Sequence, residues 1–130
     1  MRRALLAAGY CATLFAIVWF AHHEQFHFIF AWIRAIPGGD YVCHFLLVGG
    51  LAFVLNWVLL GREVRWAGRG WLLGSVIAFV LFTGEECSQL WLPGRTFDLL
   101  DLAANWAGVW FFGRVARRVL AREGKSLPPG

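Results

Sequence analysis

Charge is scarce in this sequence: 15% of its 130 residues are Asp, Glu, Lys or Arg, against 59% that are hydrophobic. A soluble domain usually carries about a quarter charged residues, so water is not the expected main solvent. Cysteine is scarce too. Cys11, Cys43 and Cys87 form an odd set without the spacing of a metal site. They read as small apolar packing residues, with a Cys43–Cys87 disulfide as the lesser alternative. A nucleophile motif is missing: Ser75, Ser88, Thr83 and Thr96 have no base evident beside them, and the paired arginine and histidine motifs of lipid phosphatases do not occur. No internal repeat, low-complexity tract beyond the Pro-Gly tail, or separate soluble domain is visible, which leaves a single domain over residues 1–130.

Apolar sequence is what the chain has in quantity. A bilayer core of about 30 Å needs roughly 20 mainly apolar residues per helix. Four stretches approach that length, at residues 4–21, 41–60, 71–92 and 97–113, followed by a basic tail at 114–130. The expected fold class is all-α, a polytopic membrane protein with four transmembrane helices. Arg2 and Arg3 before the first stretch would also suit a signal peptide. However, Trp19 and Phe20 stand where a cleavage site wants small residues, and no lipobox-like Gly-Cys pair lies near Cys11, so an uncleaved helix is expected. Between the first two stretches, "HHEQFHFIFAWIRAIPGGD" is too interrupted to span and reads as a short interfacial segment. His22, His23 and His27 there read as water-facing rather than metal-binding.

The charges are segregated along the chain. Of the twelve basic residues, only Arg34 and Arg95 fall outside the N-terminus, the link between the second and third stretches, and the C-terminal tail. The positive-inside rule then makes both termini cytoplasmic. Six of the eight carboxylates, Glu24, Asp40, Glu85, Glu86, Asp98 and Asp101, show the opposite bias. The net charge of +4 therefore reflects topology and contact with anionic membrane lipid. It argues for no nucleic acid, since no stacking aromatics are interleaved among the tail arginines.

Polar groups concentrate in "GEECSQLWLPGRTFDLLDLAANWAG", residues 84–108. On a helix, Gln89 projects between Glu85 and Glu86, with Ala78 and Phe82 deeper on the same side. Asp98, Asp101 and Asn105 fall within about 60° of arc, and Gly108 extends that stripe. An aspartate near a helix centre costs about 2.5 to 3.5 kcal/mol on insertion scales, while each large apolar residue returns about 0.3 to 0.6. The last helix is therefore expected to need the third as a partner, paired through the "LPGRT" link as an antiparallel hairpin. Asp40 and His44, at i and i+4, are placed to close the site from the second helix. Asn56 reads as interhelical glue, and the tail as an extension of the last helix.

These residues carry a resemblance. "GDYVCHFLL" followed, one helix later, by "EECSQLWLPGRTFDLLDLAANWAG" resembles the VanZ-like family of small bacterial membrane proteins, named for a teicoplanin-resistance accessory protein. The resemblance covers nearly the whole chain and implies a place in the bacterial inner membrane, envelope biology, and family-type polar positions at Asp40, His44, Glu86, Gln89, Arg95, Asp101 and Asn105. It departs at Tyr41, where the family often has lysine, and at Val48, where it usually has an aromatic.

Three functional readings follow. In the first, Asp40, His44, Glu85, Glu86, Gln89, Arg95, Asp98, Asp101 and Asn105 line an outer-leaflet pocket for a membrane lipid, a cell-wall lipid intermediate or a glycopeptide antibiotic, with Arg95 on an anionic headgroup. In the second, Glu86, Asp101 and His44 are the acid and base of an enzyme on a lipid-linked substrate, since clustered carboxylates can settle in different protonation states. In the third, the polar groups only pin helices, or hold a protein partner that the sequence does not name. The carboxylates with His44 would also suit a hard divalent cation, but no resident metal or cofactor is expected.

Overall fold

A computed structural model describes residues 1–22, 31–32, 35–91 and 97–124. Four helices account for most of these: α1 (Arg2–His22), α2 (Gly39–Val58), α3 (Leu73–Ser88), continued by a 3-10 turn at Gln89–Trp91, and α4 (Leu99–Arg122). The all-α expectation holds in this coarse form. Between α2 and α3, however, the chain forms an antiparallel hairpin, β1 (Glu63–Trp66) and β2 (Arg69–Leu72), where a plain link was expected. Residues 71 and 72, expected in the third helix, therefore belong to a strand. The last helix runs well past residue 113, as the reading of the basic tail anticipated. Most of the segment expected to lie in the interface, with His23, His27 and Arg34, falls outside the described residues.

Only α2 among the described helices is long and apolar enough to cross a membrane on its own sequence, at a mean hydropathy of 1.8. α3 has 16 residues, and α4 carries Asp101 near its start and arginines along its second half, so neither offers the long apolar window expected of it.

The bundle is organised around α2, and its most extensive contact is with α4. That contact is close because two glycines face each other: a Cβ on Gly108 would collide with Phe45 O, and one on Gly49 with Gly108 O and the Phe112 ring. Backbones that touch in this way gain dispersion along the whole crossing. The core between them is correspondingly small, with Val48, Ala52, Ala78 and Val109 buried and Phe82 packed against them. α1 packs chiefly on α2, where the Tyr10 hydroxyl donates to Leu47 O at 3.0 Å and its ring covers Gly50.

Large apolar side chains look outward on all four helices, among them Leu5 and Phe15, Leu46, Val80 and Leu81, and Leu99, Trp110 and Phe111.

The hairpin end is tied by specific polar contacts. The Asn56 side chain donates from Nδ2 to Ser75 Oγ at 2.8 Å, and its Oδ1 accepts from Ser75 N at 3.0 Å. Leu72 at the N-cap of α3 offers no side-chain acceptor, so Asn56 on the neighbouring helix supplies the missing cap. Gly74 and Gly113 make room for it: a Cβ on the first would meet Asn56, and one on the second Ser75 Oγ. Arg117 of α4 pairs with Glu63 at 2.7 Å and donates to Gly70 O at 3.1 Å, which clamps the inner face of the hairpin. Arg3 pairs with Glu123 and lies 4.8 Å from the Trp57 ring centroid, while Trp57 Nε1 donates to Glu123 at 3.2 Å. The hairpin's other face exposes Val64, Trp66, Arg69 and Trp71. Its two-residue turn, Ala67–Gly68, has positive φ at both positions, 51° and 76°, as a type I′ turn requires.

Candidate functional site

At the opposite end, where α2 and α4 begin and α3 finishes, five described carboxylates gather with one histidine and two amides. The sequence put these groups in one neighbourhood; the structure divides them into two sets with different bonding.

The first set joins α3 to α4. Gln89 Nε2 donates to Glu85 Oε1 at 3.1 Å and to Glu86 Oε2 at 3.2 Å, the bridging position that helical spacing gives it. Glu86 is 1% exposed, and its Oε1 accepts from Asp98 N at 3.4 Å. Asp98 does not extend the stripe of Asp101 and Asn105 as expected. Its backbone is extended, and its Oδ1 accepts from Leu100 N at 2.7 Å, which makes it the N-cap of α4. Asp98 and Asp101 thus lie in the first turn of a helix whose free N–H groups favour negative charge. In this set every named side chain has partners, and its effect is to fasten the end of α3 to the start of α4.

The second set joins α2 to α4. His44 reaches across from α2 with Nδ1 3.1 Å from Asn105 Oδ1 and Nε2 3.6 Å from Asp101 Oδ2. With Asn105 in this orientation Nδ1 carries a proton and donates it. One imidazole therefore bonds the amide and lies within ion-pair distance of the acid one turn before it on α4. Their remaining atoms are not matched: Asn105 Nδ2 and Asp101 Oδ1 are both buried, and neither has a hydrogen-bond partner among the described residues. Asn105 as a whole is 1% exposed, whereas the Asp101 side chain is 21% exposed although its Oδ1 is buried, so Asp101 is the more exposed member of the pair. A buried polar group without a partner costs about 1–3 kcal/mol.

Asp40, one turn before His44, is exposed at the entrance of α2. Arg95, with the Pro-Gly link before it, lies outside the described residues. Beside the first set, an apolar groove of about 320 Å³ runs between α1 and α3 over Leu51, lined also by Cys11, Leu14, Phe15, Leu81 and Phe82 and reaching Glu85. All three thiols are free, so Cys43 and Cys87 pack without bonding. Among the described residues no group of three or more His, Cys, Asp or Glu side chains is arranged to hold a metal ion.

Sequence reasoning missed two partners. Ser75 drew notice only as a hydroxyl without a base, and Thr83 likewise; they serve Asn56 and Trp106, whose Nε1 donates to Thr83 Oγ1 at 3.0 Å. A signal for the first was present, since a serine in the opening turn of a helix that lacks a side-chain cap calls for an outside acceptor. In comparisons with known proteins, no family model, no curated protein and no solved structure matches the chain.

Proposed function

We propose that the chain is a four-span protein of VanZ-like type in the bacterial inner membrane, with both termini cytoplasmic and the carboxylate end in the outer leaflet. There it binds or modulates an amphipathic envelope ligand, a lipid-linked intermediate or a glycopeptide-type molecule. The observation that carries the ligand reading is the unmatched pair, Asn105 Nδ2 and Asp101 Oδ1, buried beside His44. A scaffold built only to pin helices gains nothing from leaving them without partners. The apolar groove that reaches Glu85 supports an amphipathic occupant.

The membrane reading draws support from elsewhere. Large apolar side chains face outward on every helix, and Trp66 and Trp71 are exposed on the hairpin beside arginines, the pattern of an inner interface. α2, at 20 residues, has about the length of a hydrocarbon core. α3 and α4 would cross as a pair, each shielding the other's carboxylates.

A membrane-embedded hydrolase or transferase is the second reading. What favours it is His44 set against Asp101, an arrangement in which a proton can be held and passed. The helix-pinning reading accounts for Glu86, Gln89, Asp98 and the Asn105 carbonyl but leaves Asn105 Nδ2 without a partner among the described residues.

The test is extraction of lipids that copurify with wild type and with Asp101→Ala. A species enriched in the first and lost in the second is expected; identical extracts would remove the ligand reading. A reporter fused after Gly124 should be cytoplasmic, and a periplasmic one would overturn the topology.

A further inference from the structure

We infer that the His44–Asp101–Asn105 site takes a hydroxyl group, so that its ligand is a lipid with a glycerol or sugar headgroup. The inference rests on the ligand-pocket reading above and narrows it. His44 occupies one atom of each α4 side chain, Asp101 Oδ2 and Asn105 Oδ1, and leaves an acceptor and a donor one helical turn apart. Both atoms are buried, and the Asp101 carboxyl is the more exposed of the two groups, so the Asp101 side is where a ligand would have to enter.

The chemistry of those two atoms sorts the candidates. A phosphodiester or carboxylate oxygen only accepts. It would satisfy Asn105 Nδ2 but would set a negative charge against Asp101, with Glu86 and Asp98 nearby. An ammonium only donates, which suits Asp101 and leaves Asn105 unmatched. A hydroxyl does both: its oxygen accepts from Nδ2 and its proton goes to Oδ1. It brings no charge into the site and satisfies each buried atom once. Polyol headgroups carry several hydroxyls, which lets one enter while others remain in the headgroup layer.

The experiment compares three lipids that share acyl chains and a phosphodiester and differ only at the headgroup: phosphatidylglycerol, phosphatidylethanolamine and phosphatidylethanol. The full-length protein, purified in a detergent without hydroxyl groups, is given the three in equal amounts, and retained lipid is read by native mass spectrometry. Phosphatidylglycerol should be retained about tenfold over phosphatidylethanol, the value of two modest hydrogen bonds. A neutral monoglucosyl diacylglycerol, offered next, separates a sugar from a glycerol source and should also be retained.

The preference should vanish in Asn105→Leu and in Asn105→Asp, each checked by its melting temperature. Should both fail to fold, Asp101→Ala, which removes the acceptor, serves in their place, and the preference should vanish there too.

Equal retention of the three lipids would leave the ligand-pocket reading standing and overturn the hydroxyl. Preference for phosphatidylethanolamine would mean that two acceptors face the ligand, with the Asn105 amide turned over, and would overturn it as well. A phosphatidylglycerol preference that survives every variant would put recognition elsewhere. Retention of none would sink the pocket reading itself, and the inference with it.

Discussion

Two asparagines, Asn56 and Asn105, are both almost fully buried at helix contacts of α2, and they differ in what their amides achieve. Asn56 spends its carbonyl and its NH₂ on one residue, Ser75, and so caps α3 from a neighbouring helix. Asn105 uses its carbonyl on His44 and leaves its NH₂ without a partner. The same contrast runs through the two ends of the bundle. At the hairpin end the carboxylates Glu63 and Glu123 are each paired with an arginine. At the other end the described carboxylates stand beside one histidine, His44, with no described lysine or arginine, and hold their places through amides, backbone N–H groups and a helix terminus. Both ends hold a buried oxygen without a hydrogen bond, but Glu63 Oε1 lies 2.7 Å from the Arg117 guanidinium, whereas Asp101 Oδ1 and Asn105 Nδ2 have no partner among the described residues.

The contrast can be broken or sharpened by substitution, and the largest effect should come from the contact that both ends share. Gly108→Val forces α2 and α4 apart where backbone meets backbone, and should destabilise by about 3 kcal/mol or prevent folding. A melting temperature in detergent close to wild type would mean that the crossing is looser than described. Asn56→Leu comes next. It strips Ser75 of two bonds and should cost about 2 kcal/mol by denaturant titration. Asn105→Leu, the same change at the other end, should cost under about 1 kcal/mol, because it removes an unmatched donor together with one bond. If the Asn105 variant proved as damaging as the Asn56 variant, the distinction between the two ends would fail. The smallest effect is expected at the hairpin turn. Ala67→Gly relieves a left-handed backbone and should stabilise by about 0.5 to 1 kcal/mol, visible as a small rise in melting temperature.

The hairpin was hidden from sequence reasoning for a definite reason. Each strand has four residues, too short for alternation to stand out between two long apolar runs. Val64 and Trp66 do alternate with Glu63 and Arg65, and Ala67–Gly68 sits between the strands as a turn would. The departure at Asp98 has a similar cause. Helical spacing put it on the face of Asp101, but a residue that ends a link can cap the helix instead of joining it, and only the backbone torsions tell the two apart.

The sequence by itself determined four apolar segments, the separation of arginines from carboxylates toward opposite ends, the place of Gln89 between Glu85 and Glu86, and the role of Asn56 as a contact between helices. These follow from composition and from the fixed 100° step of a helix, which hold whatever the helices pack against. Tertiary structure alone decided that Glu86 binds the start of α4, that Ser75 is the partner of Asn56, and that His44 lies between Asp101 and Asn105. Those outcomes depend on how closely two helices approach and on their relative rotation. For α2 and α4 they are set by Gly49 and Gly108 meeting across the bundle, and beside Asn56 and Ser75 by Gly74 and Gly113, pairings of distant residues that no local pattern encodes.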